Sequence, residues 1–414
     1  MPHRMKAAII AIGSEMLGPT RVDTNSLKLT AALENYGVAV VRKSVVGDSL
    51  QDLVGEMEFS LGKADILIVT GGLGPTEDDM TREALSKAFG LEMDLDQSIV
   101  DRLQARFAAR GWKMPEVNKR QAYVFRGQTT LTNERGTAPG FHLVVGGKHV
   151  WVFPGVPNEL EWMIETYFKP WLEQTGGKKR HRRVLKIAGM TESGVEERLK
   201  PYYDAHKGEL LTILAAPGGL ELHLLRDTAD EVASRERELL DLFGNRVFGF
   251  DDETLEFVVG SLLANRGETL ATAESCTGGL LGSRITDVPG SSRYYVGGGV
   301  CYTATTKTDI AGVDPQLIQQ HGEVSQEVAE ALASGIRERF HTTYGVGITG
   351  IAGPTGGSEA KPVGTVHIAV ADATRVEHRK IVWPFTRTLV KWFSSQAALD
   401  QLRLFILGRG ASRS

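Results

Sequence analysis

The run AESCTGG (273–279) places three candidate nucleophiles side by side, Ser275, Cys276 and Thr277, ahead of two glycines. Cysteine is the strongest nucleophile of the three, but its base is normally a histidine. His321, His341 and His367 fall in contexts that read as loop, helix end and strand, and nothing in the sequence pairs them with Cys276. A small buried thiol is the simpler reading of that residue. A serine needs a base too, and CYTATTK (301–307) supplies Lys307 just past an apolar strand. Burial disfavours the charged form of a lysine, so a desolvated amine can accept a serine proton. Tyr302 on the same run can relay or orient. PGSSRYY (289–295) offers Ser291 and Ser292 as competitors, although a Pro-Gly-Ser-Ser run is first of all a turn. The backbone N–H groups of Thr277, Gly278 and Gly279 suit an oxyanion or a phosphate. ITGIAGPTGG (348–357), with Thr349 and Gly350, suits phosphate or ribose, and Arg387 can add a fixed positive charge.

A second cluster lies in TGGLGPTEDDMT (70–81). Gly71, Gly72 and Gly74 permit close backbone approach, and Thr76 with Asp79 resembles a capping box. Glu77, Asp78 and Asp79 are expected in the first turn of a helix, where they favour the helix dipole. Carboxylates beside a phosphate repel it unless a cation lies between them. A divalent ion on Asp78 or Asp79 would resolve that conflict. No Gly-Lys-Ser/Thr follows, so this is not a P-loop. Glu15, in GSEML (13–17), is expected near this loop. NERGTAPG (133–140) and FPGVPNE (153–159) read as ordinary Gly/Pro turns.

The elements that must hold these residues follow from pattern. KAAIIAI (6–12), VAVVRKSVV (38–46) and DILIVT (65–70) are strands separated by helical runs. One of these puts Leu27, Ala31 and Tyr36 on a shared face, and another carries Leu50, Leu53, Val54, Met57 and Leu61. Strands alternating with helices predict a parallel, doubly wound sheet, in which the loops after the first and third strands open at one carboxyl edge. FHLVV-GGK-HVWVF (141–153) reads as a hairpin. GGKKRHRR (176–183) reads as a solvated linker. Residues 184–250 give a β-α-β-β-α pattern: a strand, a helix over 192–203, two strands around Pro217-Gly218-Gly219, and a second helix. From residue 251 a second α/β domain follows, with strands at 269–273, 296–302, 344–349 and 363–370 and a helix opened by Ser325. The expected domains are therefore 1–175, 176–250 and 251–414.

The 414 residues are too many for one ordinary core. With 24% charged residues and a net charge of −4, the chain is not built as a polyanion binder. The two cysteines form no C-x-x-C pair, which argues against a disulfide framework or a zinc ribbon and suits a reducing cytoplasm. No run is long enough to span a bilayer. The middle segment lacks the G-x-x-G loop of a KH module, so a spacer or dimerisation role is expected there, and direct nucleic-acid contact is not.

Taken together, AESCTGG, PGSS, GGGVCYTATTK, HGEVS, ITGIAGPTGGSEAKPVGTV and Arg387 resemble the carboxyl-terminal domain of the CinA family of competence/damage-inducible proteins. GSEML, TGGLGPTEDD, NERGTAPG and PGVPNE resemble its amino-terminal, molybdopterin-binding-like domain, and the middle segment corresponds in position to the family's small KH-like domain. The resemblance spans nearly the whole chain in order. It implies a nicotinamide mononucleotide deamidase in the last domain, working without a cofactor through a serine–lysine pair that matches Ser275 and Lys307, with Tyr302 as accessory. It implies substrate contacts from Thr349, Gly350 and Arg387; Thr277, Gly278, Gly279 and Ser292 are expected to join them from the residues alone. For the first domain it implies an ADP-ribose pyrophosphatase; the divalent metal (Mg, Co or Mn) that its chemistry needs is expected on Asp78, Asp79 and Glu15, the carboxylates read above. There Asp79 is catalytic, and Gly71, Gly72, Gly74 and Thr76 cradle phosphate. Cys301 stands where the family more often has threonine. A cytoplasmic homodimer is expected. The rival readings are a non-enzymatic adaptor in DNA uptake or repair and a pterin binder with vestigial sites.

Overall fold

Every residue after Lys6 in β1 (Lys6–Ile12) is buried, and a strand covered on both faces needs a helix layer on each. The computed structural model describes residues 5–175, 179–209, 211–216 and 218–408. The start of the basic run at 176–178, and Pro217 of the expected turn, lie outside those residues. β2 (Ala39–Val46) and β3 (Ile66–Thr70) pair parallel with β1 on its two sides. Ala7, Ile9, Ile66 and Ile68 share a cluster with Leu29 and Leu33 of the helix Asn25–Glu34. Ala8, Ile10, Leu67 and Val69 face the other way, onto Leu53 and Met57 of the helix Leu50–Lys63. The period-2 alternation of the strands thus assigns the two helices to opposite faces. The buried face of the first helix is Leu29, Ala32 and Leu33; Leu27 is 62% exposed.

β4 (Met93–Leu95) and β5 (Tyr123–Phe125) form a separate antiparallel ladder. β6 (Thr129–Leu131), β7 (Gly140–Val145) and β8 (Lys148–Phe153) complete the main sheet, in the order β2-β1-β3-β8-β7-β6. β8 is parallel to β3, while β7 and β6 run antiparallel. The sheet is therefore mixed, not wholly parallel. The hairpin closes on Gly146 and Gly147, both at positive φ, as a two-residue turn requires.

The chain divides into two compact units. One runs to His181 and takes in Arg226–Ala229; the other holds Arg182–Leu225 and Asp230 onward. In the second unit β9 (His181–Ile187), β10 (Thr212–Ala216), β11 (Gly219–Arg226) and β12 (Val247–Phe250) form a sheet in the order β10-β11-β9-β12. It has its own core of Leu185, Ile187, Val195, Leu222, Leu224, Leu239 and Phe243. The expected helix over 192–203 is two helices, Glu192–Arg198 and Lys200–Ala205, the second opening on Pro201.

The larger sheet of this unit contains β13 (Leu270–Glu274), β14 (Tyr295–Val300), β15 (Tyr344–Gly350), β16 (Thr365–Ala371) and β17 (Val376–Val382), in the order β14-β13-β15-β16-β17. The first three are parallel and the last two antiparallel. The helices Leu255–Arg266, Leu280–Thr286 and Arg387–Ile406 pack on one face with Val346, Ile348, Val366 and Ile368. The helix Gln326–Phe340 covers the other face. Gly345 and Gly347 let this helix lie directly on β15: a Cβ would meet the Ala333 carbonyl at 2.0 Å or the Ala329 carbonyl at 2.4 Å. Among the described residues no helix is long and apolar enough to cross a membrane.

Candidate functional site

Ser275 stands one residue past β13, at the carboxyl edge of the larger sheet of the second unit, where its amide donates to the Ile348 carbonyl at 2.9 Å. The residue is buried at 6% exposure, and among the described residues its hydroxyl makes no hydrogen bond. Lys307 belongs to the first turn of the helix Ala304–Ala311, capped reciprocally by Thr303 and Thr306, and so does not simply trail a strand. Its side chain is 1% exposed. Nζ donates to Glu323 Oε2 at 2.8 Å and to the Tyr302 carbonyl at 3.4 Å. Its helix follows β14, where the Cys301 amide donates to the Glu274 carbonyl at 2.8 Å, and its partner Glu323 is held by Thr349 of β15, so the amine stands at the edge that carries Ser275. No hydrogen bond joins Lys307 to Ser275; the amine is buried as expected, but turned to a carboxylate.

Cys276 does not behave as a nucleophile. Burial pushes its thiol up to about 12 and that of Cys301 up to about 11, so both are protonated at neutral pH.

In the turn after Ser275, Gly278 and Gly279 take φ of 61° and 91°, and the next helix begins at Leu280. The buried Glu274 carboxylate accepts the amides of Gly279, Leu281 and Gly282 at 3.1, 3.0 and 2.8 Å. Gly278 donates to the Ser275 carbonyl at 3.1 Å. Two of the three amides expected to receive an anion are therefore occupied: that of Gly279 by an acidic side chain that competes for the helix N-terminus, and that of Gly278 by a main-chain carbonyl of the turn. The Thr277 amide has no protein partner among the described residues, and the Thr277 hydroxyl is buried without one.

Other residues gather at this edge. Arg387 bridges two loops, donating to the Tyr302 hydroxyl at 2.8 Å and the Gly353 carbonyl at 2.9 Å. Thr349 donates to the Glu323 carbonyl at 2.7 Å. Gly350 approaches Cys276 so closely that a Cβ would stand 3.0 Å from its sulfur. Ser292 is elsewhere. It lies in a 3-10 turn, Ser291–Arg293, ahead of β14, and β13 runs parallel to β14 with Leu270 opposite Tyr295 and Glu274 opposite Val300. Ser292 is thus at the amino edge and Ser275 at the carboxyl edge, roughly 15 Å apart at about 3.3 Å per residue.

In the first unit a pocket of about 620 Å³ opens where the loops after β1, β3 and β8 meet. Glu15, Asp23, Gly71, Gly72, Gly74, Asp79 and Glu159 all line it. Its walls require glycine: a Cβ on Gly71 would stand 2.3 Å from the Ile12 carbonyl, and Gly155 packs on the Gly71 backbone. Asp79 lies before the helix Thr81–Phe89, as do Glu77 and Asp78, and not in its first turn. The Asp79 carboxylate holds the loop shut, accepting the Gly74 amide at 2.8 Å, the Thr76 amide at 2.9 Å and the Thr76 hydroxyl at 2.5 Å. Asp78 is not among the lining residues. Among the described residues no three His, Cys, Asp or Glu side chains converge as a metal site. Glu15 and Asp79 are nonetheless hard oxygen donors facing one pocket, the type that holds a divalent ion when water and substrate oxygens complete the shell. Asn133 Nδ2 donates to Glu159 Oε2 at 2.6 Å, which ties the two turns flanking the hairpin together.

Four residues not singled out from the sequence matter here. Glu274 and Glu323 hold the turn and the lysine of the second unit. Asn25 lines the first pocket with its Oδ1 buried and unpartnered. Arg82, buried, donates to the Leu73 carbonyl at 3.0 Å behind the glycine loop. Each sits in a strand end, helix or loop that gives no local sign of its role, and only the folded chain brings it to its partner.

Comparison with known proteins agrees along the chain. The family model described as the CinA C-terminal domain matches residues 252–406, and the one described as a probable molybdopterin binding domain matches residues 8–174. The chain is 44% identical to a CinA-like protein of Solibacter usitatus, over 98% of this chain and 99% of that one. It is 44% identical to a CinA-like protein of Koribacter versatilis, over 96% and 99%. A CinA-like protein of Acidobacterium capsulatum is likewise 44% identical, over 96% and 99%. This chain therefore belongs to the CinA family, with a molybdopterin-binding-like domain at its amino end and a CinA C-terminal domain after it.

Proposed function

We propose that the last domain hydrolyses the carboxamide of nicotinamide mononucleotide, giving nicotinate mononucleotide and ammonia, with Ser275 as nucleophile and Lys307 as base. The observation that carries this reading is the gathering of an unbonded buried serine and a buried lysine at one sheet edge, beside the Tyr302–Arg387 pair. Lys307 takes the Ser275 proton and the alkoxide attacks the carboxamide carbon. A free main-chain amide such as that of Thr277 receives the oxyanion. The protonated amine gives its proton to the carboxamide nitrogen, which leaves as ammonia as the C–N bond breaks, and water then hydrolyses the acyl-serine ester. Arg387 and the 350–353 loop offer positive charge and donors to the substrate phosphate. Incubation with nicotinamide mononucleotide, followed by an ammonia assay, tests this. Ser275→Ala and Lys307→Ala are expected to abolish release, and full activity in Ser275→Ala would reverse the assignment.

For the first domain the acidic pocket favours hydrolysis of ADP-ribose to AMP and ribose 5-phosphate. Glu15 and Asp79 would hold a divalent ion, which when bound supplies charge neutralisation for the diphosphate. The glycine loop leaves room for the phosphates, and Asp79 keeps that loop in place. AMP formation that survives a chelator would count against this reading.

A further inference from the structure

Glu323 occupies a loop built to present it. Lys361 donates to the carbonyls on either side, of His321 at 3.0 Å and of Val324 at 2.7 Å. Thr349 donates to the Glu323 carbonyl itself at 2.7 Å, and Ser325 donates to that of Gly322 at 3.1 Å before capping the next helix. The backbone is pinned on three sides while the carboxylate side chain is 46% exposed. It reaches inward to an amine that is 1% exposed. An ammonium so deep needs a counter-ion. The other groups around it do not serve. Both oxygens of Glu274 on β13 are taken by three helix amides. Cys276 and Cys301 are neutral thiols. Arg387 carries positive charge and is committed to Tyr302 and Gly353. His321, at the start of the loop, lies against Glu327 at 3.3 Å, and Asp309 on the lysine's own helix is exposed.

We propose that Glu323 is a positioning residue that restrains the base: it holds the Lys307 amine charged and turned from Ser275, and the pair becomes competent when this carboxylate lets go. The proposal rests on the serine–lysine reading of the site. Held as an ammonium by Glu323, Nζ has no lone pair with which to accept a proton. When Glu323 swings to solvent, the ammonium loses its counter-ion and gives one proton to water. The lone pair so formed takes the Ser275 Oγ proton as the Oγ–C bond forms. The same proton then passes to the carboxamide nitrogen, which leaves as ammonia.

The test uses the full chain as wild type, Glu323→Ala and Glu323→Gln, with two readouts across pH. One is kcat/KM for ammonia release from nicotinamide mononucleotide. The other is the rate at which a fluorophosphonate labels Ser275, with Ser275→Ala as control, which does not depend on the substrate assignment. Removing the anion frees the base at lower pH. The acidic limb of both profiles is expected to fall by about one pH unit or more, raising rates below the wild-type limb roughly tenfold. Glu323→Gln keeps a hydrogen-bond acceptor and serves if the alanine variant folds poorly. Unmoved limbs in both variants, or loss of labelling in both, would overturn the restraint. Faster labelling with no ammonia from any variant would uphold the restraint and reject the substrate. A serine unlabelled in every variant would reject the pair and the restraint together.

Discussion

Glu274 accepts the amide of Gly282 at 2.8 Å, and with its second oxygen those of Gly279 and Leu281. One buried carboxylate, at the last position of β13, thus satisfies the start of the next helix and fixes the turn on which Ser275 stands. Replacement by glutamine leaves one oxygen and turns an NH2 against amides that are themselves donors. Glu274→Gln is expected to lose about 1–3 kcal/mol of stability and to lower activity through the turn. Thermal unfolding measures the first and ammonia release the second. An unchanged melting temperature would mean that the amides find other partners.

The two thiols give a second prediction. Each is pushed up by burial before any other cause, Cys276 to about 12 and Cys301 to about 11. Iodoacetamide reacts with thiolate, so both cysteines are expected to resist alkylation at pH 8 in the folded protein and to react once it is unfolded in urea. Cys276→Ala is expected to retain most of the ammonia release, since the thiol takes no part in the chemistry. Rapid alkylation of Cys276 coupled to loss of activity would restore it as the nucleophile.

Much of this architecture is legible in the residues. The alternation of β1 and β3 foretells helices on both faces because every residue in those strands but Lys6 must be covered. AESCTGG and CYTATTK come to one edge because parallel strands put their carboxyl ends together. What escapes the sequence is competition for partners. Nothing local says that Glu274 takes the amides of its own turn, that Asp79 takes those of Gly74 and Thr76, or that Glu323 reaches Lys307 from a loop 16 residues on. Ser292 is misplaced for a related reason. Its neighbours in sequence approach Ser275 only through the length of β14, so a motif that looks adjacent ends at the opposite edge.

Asp79 has two roles that substitution can separate. Its oxygens anchor the glycine loop, and they face the acidic pocket. Asp79→Asn keeps one acceptor for the Gly74 amide but removes the charge a cation needs; Asp79→Ala removes both. If the carboxylate holds a divalent ion, both variants lose AMP formation from ADP-ribose, and the alanine variant, which gives up every acceptor, loses more thermal stability than the asparagine variant. Retained AMP formation in Asp79→Asn would assign the residue to loop anchoring alone.

His367 sets a pH limit on the last domain. It is 7% exposed on β16 and meets the His378 ring at 2.9 Å, and burial pushes its imidazole down to about 4, with His378 adding to the effect. In the unfolded chain the same group takes its proton near the ordinary value of about 6.5. Between those values the unfolded state binds more protons than the folded one, so stability falls as pH is lowered through this window and is insensitive to His367 above it. The slope from this residue is at most about 1.4 kcal/mol per pH unit. Urea midpoints between pH 7 and pH 4.5 are expected to drop more in the wild type than in His367→Phe, which keeps a flat apolar ring in the same space. Parallel pH dependence in the two proteins would show that this imidazole enters the unfolding equilibrium no differently from an exposed one.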